Sequence, residues 1–256
     1  MKAVAAASLA VALVFGAAPA WAQEVPDISG VWEAQDSTGD VPPTSTLSDA
    51  DALIDELFSP IVPPGGEPTL KGSYAAAYDD LKRREREAFE AGTPLSNSHE
   101  LCVPEGMPQM MMPTMPIEIV QTEGKIIVLT EYLSQVRRIY MDEPMPDPEA
   151  LNPSYAGYSV ARWEGDTLVI ETRGILEDAL FFHIPHSPEL SVTEYIRLVG
   201  PDALEVRLVS QDKAALAEPY EVTFSYKRAD PYRPAEYICT GNRYGEAGGA
   251  SVLSLD

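Results

Sequence analysis

The sequence predicts a mainly β protein: an antiparallel up-and-down barrel of about eight or nine strands, with a helical insertion after the first strand. Three observations predict this class. After Met115, β-rich runs come in pairs that are separated by short glycine-containing turns. The 23 prolines cluster between proline-free windows, and these windows mark the regular elements because proline interrupts helices and central strands. One early window is rich in Ala, Leu, Arg and Glu, which favours a helix.

The predicted strands form hairpins along the second half of the chain. The turns lie at Glu123-Gly124, at Gly165-Asp166 and at Gly200 to Ala203. Because successive strands are joined by short loops, they should form a meander, and closure into a barrel removes the exposed sheet edges. The predicted strand regions are Gly30 to Ala34, two runs in 117–132, Val136 to Met141, two runs in 158–173, two runs in 192–210, and Val222 to Arg228.

Two helices are predicted inside an insertion that covers about residues 40–115. The window from Leu70 to Gly92 has a charged side and ends in a glycine, so it is expected to be a helix that faces solvent. At 48–58, Ser48 is a suitable N-cap and acidic residues follow in the first turn, where they interact favourably with the helix dipole. The insertion is expected to cover one side or one mouth of the barrel.

The first 22 residues have the pattern of a secretory signal peptide. Lys2 precedes an apolar run from Ala3 to Phe15, and Ala20-Trp21-Ala22 is a suitable cleavage site. The apolar run is too short to span a bilayer, and no later segment approaches that length. The sequence therefore predicts a periplasmic or secreted protein that is cleaved after Ala22.

The predicted organisation beyond the signal peptide is a single barrel domain over 23–245 and a flexible tail over 246–256. The chain has two cysteines, Cys102 and Cys239. In an exported protein such a pair is expected to form a disulfide, because that compartment is oxidising.

The charge of the chain limits its partners. Forty acidic residues face 18 basic ones, for a formal net charge of −22, which argues against nucleic acid and anionic lipid as partners. The sequence contains no P-loop, dinucleotide glycine fingerprint, nucleophile elbow or H-E-x-x-H motif. No cofactor and no metal site are predicted.

Two resemblances add to this interpretation. Ser29-Gly30-Val31-Trp32 resembles the G-x-W with which lipocalin-like (calycin) barrels begin. That resemblance implies that Trp32 packs at the closed barrel end beneath a late-strand cation, here Arg228 or Lys227. The blocks PDISGVWE, RRIYMD and GYSVARWEGDTLVIET resemble a family of exported bacterial proteins of unassigned function. The resemblance implies no activity.

Charged residues on apolar strand faces are the first candidates for chemistry. Glu194 shares a face with Val192 and Ile196, and by the same alternation Arg138 goes with Tyr140, and Glu131 goes with Leu129. Charges inside a small barrel must be paired, so these groups are expected to meet. Two alternatives stay open: a desolvated Glu194 transfers protons, or a structural Arg–Glu pair fills the barrel.

His183 and His186 precede the Glu194 strand. His186 and Glu194 are a candidate acid/base pair at the barrel mouth, since imidazole is the usual proton shuttle near neutral pH. Ordinary loop histidines and a metal site with a carboxylate are the alternatives. The methionines of residues 107–115, with Met110, Met111 and Met112 at the centre, are suited to line an apolar pocket; copper binding is the alternative.

The first functional hypothesis is an exported barrel that binds a small apolar or aromatic molecule in its lumen. The second is a cofactor-independent isomerase or lyase on the same pocket, and the third is copper handling. For the enzyme, the candidate catalytic residues are His186, Glu194, Arg138 and Tyr140. For the carrier, the candidate ligand-binding residues are His183, Met110, Met111, Met112, Phe182, Tyr158 and Glu131.

Overall fold

The fold is a closed barrel of nine strands in a computed structural model that describes residues 25–35, 63–93, 95, 101–179 and 181–239. The strands follow each other around the barrel in chain order, and β1 closes it by pairing with both β2 and β9. The predicted fold class is confirmed. The strands are β1 (Gly30–Ala34), β2 (Ile117–Gln121), β3 (Lys125–Thr130), β4 (Val136–Met141), β5 (Tyr158–Glu164), β6 (Thr167–Arg173), β7 (Ser191–Gly200), β8 (Ala203–Gln211) and β9 (Tyr220–Arg228).

Alternation of side chains builds the core. On β7, β8 and β9 every second residue points inward and is buried, including Val192 and Ile196, which were predicted to share a face with Glu194. Apolar side chains therefore fill the interior from all three strands. These residues are Val192, Ile196, Leu204, Val206, Leu208, Val222, Phe224 and Tyr226.

One strand pair departs from the predicted antiparallel meander. β4 and β5 pair in parallel, with Ile139 opposite Ser159 and Met141 opposite Ala161. A parallel pair needs a long crossover, and residues 142–157 supply it by returning the chain to the end where β4 began. This stretch contains several prolines and only one short 3-10 turn, Pro148–Ala150.

The two ends of the barrel differ. The turns at 122–124, 165–166 and 201–202 meet at one end, here called the hairpin end, together with the incoming chain at 25–29. Trp32 is fully buried near this end, and the guanidinium carbon of Arg228 lies 4.4 Å from the centre of its ring. The contact between Arg228 and Trp32 agrees with the sequence expectation, but its place does not, because this is the open end of the barrel and not the closed one.

The opposite end, here called the covered end, is closed by loops. The methionine segment, residues 105–112, includes the 3-10 turn Gln109–Met111 and is almost entirely buried. Phe181 and Phe182 pack beside it against Tyr220. The predicted disulfide is confirmed: Cys102 and Cys239, with Cα atoms 5.7 Å apart, join the approach to this segment to the chain that follows β9.

The insertion carries a helix, α1 (Gly72–Glu90), which confirms the helix predicted over 70–92. Its start is fixed by a β-bridge between Leu70 and Leu216, and Tyr78 is its buried residue. Among the described residues, no helix is long and apolar enough to cross a membrane. The predicted signal peptide, the helix predicted at 48–58 and the tail at 246–256 lie outside the described residues.

Candidate functional site

A charged cluster lies inside the barrel, around Glu194. The Glu194 carboxylate is fully buried and forms a salt bridge with Arg137, whose side chain is equally buried. Nη1 of Arg137 donates to Oε1 of Glu194 at 3.0 Å, and Nη2 donates to the other oxygen. The hydroxyls of Ser159 and Thr172 accept from the same guanidinium at 3.1 and 2.8 Å. Every charged atom of the pair is therefore engaged within the core.

The arginine that meets Glu194 is not the one expected. Arg138 does share a face with Val136 and Tyr140, but this is the outer face: Arg138 is exposed, as is Val136. Tyr140 stacks on Tyr158 across the β4–β5 pair, with ring centres 5.2 Å apart. The expectation that Arg138, Tyr140 and Tyr158 face the lumen is therefore wrong, because apolar side chains occupy the outer face of β4 as well as the inner one.

The two loop histidines have partners other than Glu194. His186 is buried, and its two ring nitrogens lie 3.0 Å from the carbonyl oxygens of Ala179 and Ser187. His183 lies 3.0 Å from Oε1 of Glu85 on α1, with about a quarter of its side chain exposed. His186 thus contacts loop backbone, and His183 contacts α1. The expected acid/base pair of His186 with Glu194 is not formed.

The remaining candidates lie in the packing of the covered end. Met110, Met111 and Phe182 are buried in the core, and Met112 packs against it. The hydroxyl of Tyr226 donates to the Met111 carbonyl oxygen, and burial together with the nearby Glu194 charge raises the pKa of Tyr226. Glu131 accepts from the hydroxyl of Tyr232 at 2.6 Å.

No three His, Cys, Asp or Glu side chains among the described residues are grouped so as to hold a metal ion. The interior methionines contact aromatic and aliphatic neighbours within the core cluster. Thioethers in such surroundings fill space, as flexible side chains do in irregular cores.

An open cleft lies at the hairpin end, with a volume of about 500 Å³. Its wall comes from four separate parts of the chain: the segment before β1, the β2–β3 hairpin, the end of β4 and the end of β5. The lining residues are Val25, Asp27, Ser29, Gln121, Thr122, Glu123, Ile126, Met141, Asp142 and Trp163.

The cleft has an apolar floor and a polar rim. Ile126 is 1% exposed and forms the floor with Met141 and Trp163, both of which pack partly against the core. Gln121 fixes the shape of the wall, since its amide accepts from the Ile28 amide at 3.1 Å and donates to the Pro26 carbonyl at 3.2 Å. The incoming chain is thereby held against β2.

The three carboxylates on the rim, those of Asp27, Glu123 and Asp142, come from three different parts of the chain. Asp27 accepts from the backbone amide of Ser29 at 2.9 Å, and hydrogen bonds from the side chain and backbone of Ser29 lower the pKa of Asp27. Glu123 lies in the β2–β3 turn. Asp142 follows β4 with a left-handed backbone, φ 56°, a conformation that aspartate tolerates better than most residues.

None of the cleft residues was among the sequence candidates, although the motif blocks contained the signal. PDISGVWE supplies Asp27 and Ser29, RRIYMD supplies Met141 and Asp142, and the third block supplies Trp163. Three blocks that are distant in the sequence therefore meet at one cleft.

Comparison of the chain with protein-family models, with curated proteins and with solved structures found no match.

Proposed function

We propose that this protein is a small-molecule-binding barrel and that the hairpin-end cleft binds its ligand, a small apolar or aromatic molecule. The observation that carries this proposal is the cleft itself. Its volume of about 500 Å³ lies within the range of small-molecule sites. It also combines an apolar floor with polar side chains on its rim, so that it offers both kinds of contact that small-molecule sites use.

In the described part of the chain, the lumen of the barrel leaves no space for a ligand. Inward side chains from all parts of the barrel wall occupy the interior, including Trp32, Phe224 and Tyr226, each at most 8% exposed. The methionine segment closes the covered end above them. A ligand that enters the interior would displace core packing, whereas the cleft is open to solvent.

The geometry of Glu194 does not favour the enzyme alternative. A carboxylate that acts as a general base must have an oxygen within hydrogen-bond reach of the substrate proton. Both carboxylate oxygens of Glu194 bind the Arg137 guanidinium, and the side chain is 0% exposed. The pair therefore fits a structural role in the barrel interior.

We also propose that the protein acts outside the cytoplasm. The disulfide between Cys102 and Cys239 supports this, because such bonds persist in oxidising compartments. A ligand in that setting would be encountered free in the periplasm or the medium.

Titration with the neutral fluorophore N-phenyl-1-naphthylamine tests the binding proposal. We expect saturable binding to one site and an affinity about tenfold or more lower for Trp163→Ala, because loss of the indole removes apolar contact area from the floor of the cleft. Tyr195→Ala is the matched control, since Tyr195 is a half-buried aromatic on the outer face of β7, beside Arg207. Equal affinity for Trp163→Ala and the wild type would overturn the proposal.

A further inference from the structure

We infer that the ligand of the hairpin-end cleft carries a positive charge next to its apolar or aromatic body. This inference rests on the proposed function of the cleft and names the class of ligand. The observation behind this inference is the charge of the side chains that line the cleft. Among the residues that line the cleft, the ionisable ones are Asp27, Glu123 and Asp142, all of them acids.

Two of these carboxylates have no cationic partner. Glu123 and Asp142 are exposed, and no Lys, Arg or His of the described chain forms a salt bridge with either. Their negative charge is therefore available to a bound molecule. An anionic ligand would meet uncompensated repulsion at the same positions.

The basic residues near this end are directed elsewhere. Arg228 is close enough to influence Asp27, but its guanidinium lies over the Trp32 ring, donates to the Ser29 carbonyl oxygen at 2.9 Å and pairs with Asp202 at 3.4 Å. The Lys125 ammonium lies 5.3 Å from the centre of the Tyr140 ring, on the outer face of the barrel. Neither residue lines the cleft.

The floor of the cleft suits the same ligand. Trp163 presents an indole, the aromatic group whose face attracts cations most strongly. Ile126 and Met141 beside it accept apolar surface. A flat hydrocarbon or aromatic body on this floor would place an attached protonated amine at the acidic rim. The net charge of −22 adds a long-range attraction for cations.

Three probes of matched shape separate charge from apolar contact: 1-naphthylmethylammonium, 1-naphthalenemethanol and 1-naphthoate. We expect calorimetric titration of the full protein at low salt to show that the cation binds most tightly, the alcohol less tightly and the anion least tightly. The cation should bind about tenfold tighter than the alcohol, because two unpaired carboxylates lie at the rim. The difference should shrink at high salt, since ions screen exposed charges.

The variant Glu123→Gln/Asp142→Asn tests whether these carboxylates set the order. Asparagine also tolerates the left-handed backbone at position 142, so the variant preserves the turn. We expect binding of the alcohol to be unchanged and the cation preference to fall to about twofold or less. Glu90→Gln/Glu236→Gln is the control: it removes the same charge from exposed acids that do not line the cleft and should keep the preference.

Equal affinities for cation and alcohol, or a preference that survives in Glu123→Gln/Asp142→Asn, would overturn the inference while leaving the cleft as a binding site. Failure of all three probes and of the neutral fluorophore would overturn the proposed function, and the inference with it. The two failures are thus distinguishable.

Discussion

The Arg137 guanidinium lies between the Glu194 carboxylate and two hydroxyls in the middle of the barrel. Burial of two charges costs solvation free energy that their attraction offsets only when the geometry is good and the other polar atoms are bonded. Both conditions hold here. The hydroxyl oxygens of Ser159 and Thr172 are 2.9 Å apart and share a hydrogen bond. The two hydroxyls therefore keep each other as partners if the ion pair is removed.

This geometry predicts unequal effects of single and double substitutions. Arg137→Met or Glu194→Gln alone should lower the free energy of unfolding by about 3–5 kcal/mol. The first leaves the Glu194 carboxylate buried without a countercharge, and the second does the same to the Arg137 guanidinium. The double variant Arg137→Met/Glu194→Met should recover most of that loss. Urea unfolding curves measure these differences.

Arg197→Met supplies the comparison for this cycle, since Arg197 pairs with Glu205 at the surface and should change the unfolding free energy by less than about 1 kcal/mol. Single substitutions at Arg137 or Glu194 that cost no more than this control would contradict a structural role for the buried pair.

At the residue scale, alternation along β7 predicted the inward position of Glu194 correctly. It did not identify the partner. Arg137 and Arg138 are adjacent, so one must point in and the other out, and the apolar neighbours Val136 and Tyr140 favoured the wrong choice. Their outward position is a property of the barrel surface that the sequence pattern alone does not distinguish from a core-facing row.

Asp212 joins two elements of the covered end. Its carboxylate is buried and accepts four hydrogen bonds: from the Ser187 amide at 2.6 Å, the Ser187 hydroxyl at 2.8 Å, and the amides of Ala214 and Ala215 at 3.0 and 2.9 Å. Burial opposes ionisation, but these hydrogen bonds prevail and lower the pKa of Asp212. The loop before β7 is thereby attached to the turn after β8.

The lowered pKa gives Asp212 a defined pH dependence. Its contribution to stability is complete above the ordinary aspartate pKa and is lost as the pH falls through the lower folded-state pKa. We expect Asp212→Asn to cost about 1–3 kcal/mol at pH 7, because the amide supplies one acceptor oxygen where the carboxylate supplies two. The difference from the wild type should shrink in acid.

Thermal unfolding between pH 7 and pH 3 measures this trend. Asp147→Asn is the control, because Asp147 is exposed at the start of a 3-10 turn. A difference between Asp212→Asn and the wild type that stays constant over this range would show that the carboxylate charge is not what stabilises the two loops.

At the element scale, the strands were predictable because short turns with glycine or aspartate separate β-rich runs, and α1 was predictable from its composition. The parallel β4–β5 pair was not. Residues 142–157 have the composition of an irregular connection. Such a composition does not indicate at which end of the barrel the next strand begins, so it does not predict whether β5 is parallel or antiparallel to β4. The crossover is seen only in the parallel register of β4 and β5, with Ile139 opposite Ser159 and Met141 opposite Ala161.

For the whole molecule, the two barrel ends have opposite properties. The covered end is closed by the methionine segment, by Phe181 and Phe182, and by the disulfide-linked chain after β9. The hairpin end keeps an open cleft whose rim is acidic. Its wall was not identified from the sequence, because residues 25–29, 121–126, 141–142 and 163 become neighbours only when β1 to β5 take their places in the barrel.

The central claim is that ligand binds at the hairpin end and not in the lumen. Amide chemical-shift mapping of the isotopically labelled protein with N-phenyl-1-naphthylamine tests it most directly. We expect the largest shifts at residues 121–123, at Asp142 and at the Trp163 indole. Largest shifts instead at Met107 to Met111, Phe182 and Glu194, with the hairpin end unchanged, would place the ligand in the interior and contradict the claim.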